Sequence, residues 1–232
     1  MKFLSKRILI VCLVVIALAA IGIKIYKEKQ RRDFIAATLS SEHWLTRYNE
    51  FLAQPRAKGG KVFFGNSLTE MFNLSLFGDS TIINRGINGD FTEGLLKRID
   101  EVISLQPSKL FIEIGINDIF EKVHPDEILG NYERIIQRVT KDLPRTKIYI
   151  QSNLPVLRES RFTSCKYLNN TVREQNEQLK MLAAKYGATY INLYDHFEKD
   201  GALNPDLSFD GVHINNFGYD KWRELLLPYL AD

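Results

Sequence analysis

The stretch KVFFGNSLTE, residues 61–70, places a short apolar run directly before a glycine, a polar residue and a serine. Residues 61–64 suit a buried strand, because β-branched and aromatic side chains favour extended structure. Ser67 then stands where a helix could begin, and Glu70 three residues later completes the pattern of a capping box. Ser67 therefore has two interpretations, a helix cap or a nucleophile. The two are compatible, since a helix N-terminus also favours a developing negative charge.

The order of apolar run, polar loop and helical pattern recurs along the rest of the chain. Between the apolar runs, hydrophobic residues repeat at helical spacing, and Gly187 stands where a C-terminal glycine cap belongs. Alternating strands and helices predict a parallel sheet with helices on both faces. The five predicted strands are residues 61–64, 81–84, 110–114, 147–151 and 189–192.

The N-terminal segment predicts a membrane location. Residues 8–23, ILIVCLVVIALAAIGI, carry no charge, and as a helix they would span about 24 Å of a hydrocarbon core ~30 Å thick. We expect membrane contact through residues 8–25. The basic flank KIYKEKQRR favours an uncleaved anchor, whereas Ala-Leu-Ala at 17–19 resembles the cleavage site of a signal peptide. Both interpretations stay open, and we expect the domain that follows to lie outside the cytoplasm.

Three regions are predicted along the chain. Residues 1–32 form the anchor or signal segment with basic flanks at both ends. Apolar residues at helical spacing over 33–54 predict a single stalk helix that docks on the domain, and PRAKGG at 55–60 marks a break. Residues 33–60 are thus a stalk and linker, and residues 61–232 are the main domain.

Charge and cysteine content argue against several classes of protein. The whole chain has a formal net charge of +3, but eight of its basic residues and one acidic residue lie within residues 1–32. From Asp33 onward the net charge is therefore −4, so nucleic acid is not an expected partner. Cys12 lies within the apolar segment and Cys165 is the other cysteine, so no disulfide framework is expected. No metal-binding spacing or phosphate-binding loop is present, and we expect no cofactor and no metal.

Polar motifs follow the predicted strands. In a parallel sheet, ligands bind at the carboxyl ends of the strands, so residues just after each strand are candidates for a site. Together these loops contain a serine, a glycine-rich turn, an asparagine and an Asp/His pair, which are the groups that acyl transfer requires. The motifs are GNS at 65–67, NRGINGD at 84–90, GIND at 115–118 and DGVH at 210–213.

Each residue type has a chemical reason to be there. A serine hydroxyl is a poor nucleophile until a base removes its proton, and histidine titrates near neutral pH. His213 needs a carboxylate to hold it in one tautomer, and Asp210, three residues earlier, is close enough to do so. A tetrahedral intermediate needs hydrogen-bond donors, for which the candidates are the backbone N–H groups of Ser67 and Gly89 and the side-chain amide of Asn117.

The four motifs, in this order, resemble those of the SGNH (GDSL-type) hydrolases, and the resemblance covers nearly all of the predicted domain. It implies a flavodoxin-like, three-layer α/β/α sandwich built on a five-stranded parallel sheet. It also implies that Ser67 is the nucleophile, His213 the base and Asp210 the residue that orients it. Gly89 and Asn117 would complete the oxyanion hole with Ser67.

The sequence departs from the family pattern at one position. The first motif of the family usually reads Gly-Asp-Ser, whereas this chain has Asn66 before the serine. Asn66 keeps the shape and an acceptor oxygen of aspartate but not its charge. Asn66, Phe91 and Asn153 are candidates for the substrate pocket because they follow strand ends, and packing explains them equally well. The polar segment 156–166 is a candidate for a rim loop over the site.

The sequence thus predicts a membrane-tethered serine ester hydrolase that removes small acyl groups, acetyl especially, from carbohydrate. Its substrate would be a small-molecule, glycan or lipid ester. One alternative is a lysophospholipase or thioesterase that acts on lipid acyl esters, which a membrane tether would also suit. Another is a catalytically inactive binding module on the same fold. The sequence leaves the oligomeric state open, and it does not distinguish hydrolysis from acyl transfer.

Overall fold

The computed structural model describes residues 2–54, 58–158 and 164–231. Two compact units are distinguished, Met1–Ser40 and Ser41–Asp232. The first unit is a single helix, α1 (Lys2–Thr38). Its stretch Ile10–Thr38 is long and apolar enough to cross a membrane, by length and composition alone. That property is shared by membrane anchors and signal sequences.

The second unit opens with α2 (Glu42–Ala53). The prediction of one continuous stalk helix over 33–54 is wrong, because α1 ends at Thr38 and a new helix begins at Glu42. Ser41 is extended, and its side chain accepts a hydrogen bond from the backbone N–H of Trp44 at 3.3 Å. A serine in this position caps a new helix in place of continuing the old one.

All five predicted strands are confirmed, with ends that differ by one or two residues in four of them. The sheet has the order β2-β1-β3-β4-β5, and every neighbouring pair is parallel. This is the order of flavodoxin-like folds. The strands are β1 (Lys61–Gly65), β2 (Ile82–Gly86), β3 (Lys109–Glu113), β4 (Lys147–Gln151) and β5 (Thr189–Ile191).

The predicted long helices are also present, and several short elements were not predicted because they contain too few residues to show a period. The helices after α2 are α3 (Ser67–Glu70), α4 (Thr92–Ser104), α5 (Ile116–Phe120), α6 (Pro125–Asp142), α7 (Cys165–Tyr186), α8 (Tyr194–Phe197) and α9 (Asn216–Leu230). Two 3-10 turns at Leu74–Phe77 and Pro205–Leu207 and a small antiparallel hairpin, β6 (Glu198–Lys199) with β7 (Ala202–Leu203), complete the unit.

The sheet is covered on both faces. On one face the rings of Phe63 and Phe111 stack with centroids 4.7 Å apart, and those of Phe111 and Tyr149 stack at 4.5 Å. Trp222 and Leu226 of α9 belong to the same buried cluster. The opposite face is covered by α4, α6 and α7, which pack against their neighbours in turn. The three-layer α/β/α sandwich is therefore confirmed.

The strand order positions the loops of interest. In the sheet, β2 lies on one side of β1 and β3 lies on the other. The connections that leave β1 and β3 therefore run in opposite directions, and a crevice opens at the carboxyl end of β1. Gly65 pairs in register with Gly86 of β2 and with Glu113 of β3. The segments that follow these three residues therefore begin side by side at one edge of the sheet.

Candidate active site

Ser67 is the first residue of α3 and follows β1 after a single intervening residue. The helix cap is Asn66 and not Ser67, because the Asn66 Oδ1 atom accepts the backbone N–H of Leu68 at 3.0 Å. Ser67 is only 5% exposed. Its hydroxyl lies 3.0 Å from the Nε2 atom of His213, a residue 146 positions further along the chain.

His213 is oriented by Asp210. The Nδ1 atom of His213 lies 2.7 Å from Asp210 Oδ2, while Asp210 Oδ1 accepts the backbone N–H groups of Val212 and His213 at 2.9 and 2.7 Å. Partial burial raises the pKa of Asp210, but the hydrogen bonds from the His213 ring and from the two amides outweigh it. The net result is a pKa of Asp210 below its usual value, so the carboxylate is ionised at neutral pH.

The loop that carries this pair is held by hydrogen bonds to its backbone. The Ser208 hydroxyl donates to the His213 carbonyl at 2.6 Å and accepts the Gly211 N–H at 2.9 Å. Gly211 has φ of +83° and receives the Leu157 N–H on its carbonyl at 2.7 Å. The Phe209 ring stacks on the His213 ring with centroids 5.8 Å apart. The imidazole is therefore positioned by Phe209 against one ring face and by Asp210 at Nδ1.

The predicted oxyanion residues Gly89 and Asn117 lie in a turn and in the short helix α5, respectively. Gly89 has φ of +76° in a turn closed by a hydrogen bond from Asp90 N to Ile87 O at 3.1 Å. The Ile87 N–H donates to the Gly65 carbonyl at 3.1 Å, which joins this turn to the end of β1. The side-chain amide of Asn117 donates to the Asp90 carbonyl at 2.9 Å. The turn of Gly89 is thus in direct contact with Asn117 of α5, and the role of the two residues as oxyanion donors stays a prediction.

A buried ion pair lies behind the turn of residues 87–90, and sequence reasoning missed it. We call this turn the oxyanion turn because it contains Gly89, a predicted oxyanion donor. Asp90 and Arg98 are 0% and 1% exposed, and Arg98 Nε lies 2.8 Å from Asp90 Oδ2. The other Arg98 nitrogens donate to the carbonyls of Arg85 at 2.8 Å and Gly65 at 3.0 Å. Burial raises the pKa of Asp90, against the opposing effect of Arg98. One available signal was the position of Arg98 between Leu95 and Ile99 on the apolar face of a helix.

Asp118 is the second buried carboxyl beside the site. It accepts hydrogen bonds from the Thr92 backbone N–H at 3.1 Å and from the Thr92 hydroxyl at 2.6 Å. Phe91 precedes α4 without a side-chain cap, so Asp118 of the short helix α5 supplies that cap. Burial raises the pKa of Asp118 to about 7. Asn117 and Asp118 together attach α5 to the segment that runs from the oxyanion turn into α4.

The three candidates for the substrate pocket are buried. Asn66 and Asn153 are 0% exposed and Phe91 is 2% exposed, and the Asn153 backbone exchanges hydrogen bonds with the Asn176 side chain. Part of the predicted rim loop, residues 159–163, lies outside the described residues. A groove of about 770 Å³ instead begins beside His213, at Phe209 and Ile214. Its lining residues are Met71, Asn73, Leu76, Phe209, Ile214, Asn215, Asn216, Phe217, Tyr219 and Asp220.

A serine hydroxyl within hydrogen-bond distance of an imidazole, which a carboxylate orients in turn, is the arrangement found in serine hydrolases. Here it stands at the carboxyl edge of a parallel sheet, where α/β enzymes hold their sites. The sequence comparison agrees with that class. The chain belongs to the GDSL-like lipase/acylhydrolase family, whose model matches residues 53–221. This match confirms the predicted family. Lipases and acylhydrolases are enzymes that act on carboxylic esters.

Solved structures of similar proteins share the fold. A Streptococcus pneumoniae protein named for platelet activating factor is 29% identical, with a TM-score of 0.70, and the match covers 92% of this chain and 99% of that one. A GDSL-like lipase from Bacteroides thetaiotaomicron is 25% identical, with a TM-score of 0.72, and covers 80% and 96%. An acetylxylan esterase from Geobacillus stearothermophilus is 17% identical, with a TM-score of 0.60, and covers 75% and 95%. At that last identity the likeness concerns the fold alone.

Curated relatives are longer than this chain. The N-acylneuraminate cytidylyltransferase of Streptococcus agalactiae is 21% identical over 178 residues, which cover 71% of this chain and 41% of that protein. The chain therefore matches less than half the length of this relative.

Proposed function

We propose that this chain is a membrane-tethered serine ester hydrolase. The observation that carries the proposal is the hydrogen-bonded series from Ser67 through His213 to Asp210, with separations of 3.0 and 2.7 Å. Ser67 attacks the acyl carbonyl carbon while His213 Nε2 takes the hydroxyl proton. The resulting imidazolium is stabilised by Asp210, whose pKa lies below its usual value and which therefore carries a charge.

The remaining steps use the same groups. The oxyanion of the tetrahedral intermediate is stabilised by the backbone N–H groups of Ser67 and Gly89 and by the Asn117 amide. His213 then gives its proton to the leaving alcohol, and an ester between the acyl group and Ser67 remains. Water attacks this acyl-enzyme with His213 again as the base, and the free acid departs as Ser67 regains its proton.

For the substrate we propose small acyl esters, acetyl especially, on carbohydrate. Because His213 protonates the leaving alcohol, a groove that begins beside His213 is suited to the alcohol part of the ester. Phe209 and Phe217 in this groove are 63% and 74% exposed, and Asn216 and Asp220 lie among them. Exposed aromatic faces next to a few hydrogen-bonding side chains are suited to a sugar ring, which has apolar faces and hydroxyl edges.

A second candidate is a lipid acyl ester. Met71 and Leu76, which also line the groove, are 44% and 48% exposed, so an aliphatic chain could cover them. An N-terminal helix that binds a membrane would bring such a substrate close. Turnover of p-nitrophenyl esters from acetyl to dodecanoyl separates the two candidates. A strong preference for long chains would favour the lipid ester and count against the carbohydrate ester.

The test of the enzyme proposal is a Ser67→Ala variant assayed for ester turnover and for labelling by a serine-reactive phosphonate probe. We expect labelling to disappear and kcat to fall by about 10⁴-fold or more, because the nucleophile is gone. Ser104→Ala is the matched control, since the Ser104 hydroxyl bonds the Glu101 carbonyl at the end of α4. Equal labelling of the Ser67→Ala variant, or no labelling of the native chain, would leave the binding-module alternative in place.

The membrane tether is proposed from the apolar part of α1, which lies within the candidate span Ile10–Thr38. We expect the full-length chain to stay with membranes during extraction with alkaline carbonate. Val14→Arg combined with Leu18→Arg should release it, because each arginine at the centre of a membrane helix costs about 2.5–3.5 kcal/mol. Val14→Leu with Leu18→Val is the control. A soluble product shortened at its N-terminus would identify a cleaved signal peptide instead, and protease added to intact cells tests the external location of the domain.

A further inference from the structure

Helix α2 contacts the loops of the active site although it lies almost entirely before the part of the chain that matches the family. That match begins at residue 53, the last residue of α2. Trp44 and Phe51 of α2 are 4% and 2% exposed. The function of this helix is therefore not explained by the four motifs of the site.

The first contact joins α2 to the oxyanion turn. The indole N–H of Trp44 donates to Asp90 Oδ1 at 3.0 Å, and Arg98 Nε lies 2.8 Å from Asp90 Oδ2. The two carboxylate oxygens of Asp90 are thus held by side chains from two different helices, and Oδ1 also accepts the backbone N–H of the next residue at 3.0 Å. The Asp90 carbonyl accepts the Asn117 amide, and the residue before Asp90 is Gly89. Asp90 is completely buried, so its oxygens depend on protein donors.

The second contact joins α2 to the nucleophile helix. Arg47 Nε and His43 Nε2 lie 3.2 Å from the two carboxylate oxygens of Glu70, the last residue of α3. Glu70 also accepts the backbone N–H of Asn88, the residue before Gly89. Through Glu70, α2 is therefore connected both to the helix that begins with Ser67 and to the turn that contains Gly89.

We propose that α2 is a positioning element of the active site and that Trp44 is its main positioning residue. By holding Asp90, the Trp44 indole fixes the peptide that carries the Gly89 N–H relative to Ser67. The proposal rests on the ester hydrolase function argued above. Oxyanion donors stabilise a transition state only when they are held in place before the reaction, so a small displacement of this turn lowers kcat more than it weakens substrate binding.

The test is Trp44→Phe, which keeps an aromatic ring and removes the N–H donor. We expect kcat for p-nitrophenyl acetate to fall about tenfold or more, with KM changed less than about twofold, since a misplaced catalytic group can cost up to about 10²-fold. Trp222→Phe is the matched control. Trp222 is also fully buried, and its indole donates to Gln151 Oε1 at 2.8 Å beneath α9, so it loses an equivalent hydrogen bond elsewhere.

Hydrogen exchange provides a readout that needs no substrate. The amides of Asp90 and Phe91, which donate to the Ile87 carbonyl and to Asp90 Oδ1, should exchange faster in Trp44→Phe and at the native rate in Trp222→Phe. Should Trp44→Phe fail to fold, Arg47→Met tests the positioning role of α2 at a half-buried position by removing the ion pair to Glu70. It should also lower kcat and speed exchange in the oxyanion turn.

The outcomes separate the two proposals. Equal kcat and equal exchange in the Trp44→Phe and Trp222→Phe variants would overturn the positioning role while leaving the hydrolase intact. A native chain that neither hydrolyses esters nor reacts with the phosphonate probe would overturn the proposed function. Exchange of the Asp90 and Phe91 amides would still show whether Trp44 holds the turn.

Discussion

Asp210 uses its two carboxylate oxygens for different tasks. Oδ1 accepts two backbone N–H groups of its own loop, and Oδ2 accepts from the His213 ring. The backbone contacts keep the carboxylate fixed, and the ring contact requires the His213 proton to be on Nδ1. Nε2 is then left unprotonated and faces the Ser67 hydroxyl, which is the state that a general base needs.

Replacing Asp210 by asparagine should invert this arrangement. The amide oxygen of an Asp210→Asn variant would stay with the two backbone N–H groups, so its NH₂ group would face the ring and favour a proton on Nε2. We expect kcat to fall by about 10³–10⁴-fold with the fold unchanged. Asp206→Asn is the control, because the Asp206 side chain is 77% exposed and lies on the preceding 3-10 turn. Similar kcat values for the two variants would contradict the proposed role of Asp210.

Among single residues, sequence reasoning found those with a recognisable chemical pattern and missed those that act through them. Ser67, Asp210 and His213 belong to short motifs, so their residue types and order were informative. Trp44 and Arg98 belong to no motif, and their partner Asp90 is 46 residues from one and eight from the other. Only the folded chain shows that the three residues meet.

At the scale of elements, α3 lies unusually close to the end of β2. A Cβ atom at Gly86 would lie 2.1 Å from the Glu70 backbone nitrogen and 2.6 Å from the Thr69 carbonyl carbon. These neighbours are backbone atoms of the nucleophile helix, so they cannot move aside without moving α3. The close approach keeps Ser67 near the edge of the sheet, which explains the glycine at this end of β2.

Gly86→Ala should therefore lower the free energy of unfolding by about 1–3 kcal/mol through overpacking. We expect kcat to fall as well, because the displaced helix carries Ser67. Gly130→Ala in α6 is the matched control, since nothing lies within 4 Å of a Cβ atom at Gly130. Alanine there should stabilise the helix by about 0.5–1 kcal/mol. Urea unfolding measures both values, and an unchanged stability of Gly86→Ala would contradict the close contact.

The elements also show where a pattern of spacing is misleading. Apolar residues at helical intervals over 33–54 predicted one helix, yet Ser41 ends that pattern by capping a second helix. Hydrophobic spacing indicates which side of a helix packs against other residues. It does not reveal a break when the helices before and after the break both have apolar residues at helical intervals. The short helices α3, α5 and α8 span five residues or fewer, too few to show a period.

At the scale of the whole domain, the buried carboxyl of Glu113 makes the free energy of unfolding depend on pH. It is 0% exposed, and among the residues that the structure describes neither of its carboxylate oxygens has a hydrogen-bond partner. Burial raises the pKa of Glu113 from 4.5 to about 8. Between these two values the unfolded chain loses its proton while the folded chain keeps it. Rising pH therefore favours the unfolded state. The stability that comes from the raised pKa of Glu113 is fully present below about pH 4.5 and is lost as the pH rises through 8.

Glu113→Gln should remove this part of the pH dependence. We expect the free energy of unfolding of the native chain to fall between pH 5 and pH 8.5, and that of the Glu113→Gln variant to fall markedly less. Glu174→Gln, on the exposed face of α7, should behave like the native chain. Urea unfolding at the two pH values measures the difference. Parallel curves for the native chain and Glu113→Gln would show that the carboxyl is not held neutral.

By itself, the sequence determined the class of fold, the family and an apolar N-terminal helix long enough to span a membrane. These depend on local features: alternation of strands and helices, residue types at fixed intervals, and an uninterrupted apolar run. The order of the motifs was sufficient to name five candidates, because each motif lies in a polar segment between predicted strands and helices. These candidates are Ser67, Gly89, Asn117, Asp210 and His213.

Only the tertiary structure decided which side chains support those candidates. The contact of α2 with the oxyanion turn, the Asp90–Arg98 ion pair, the burial of Glu113 and the groove beside His213 all depend on residues from separate parts of the chain. Burial and hydrogen bonding between distant residues depend on how helices pack on the sheet. That packing is set by the sum of many weak contacts, and no short stretch of sequence records it.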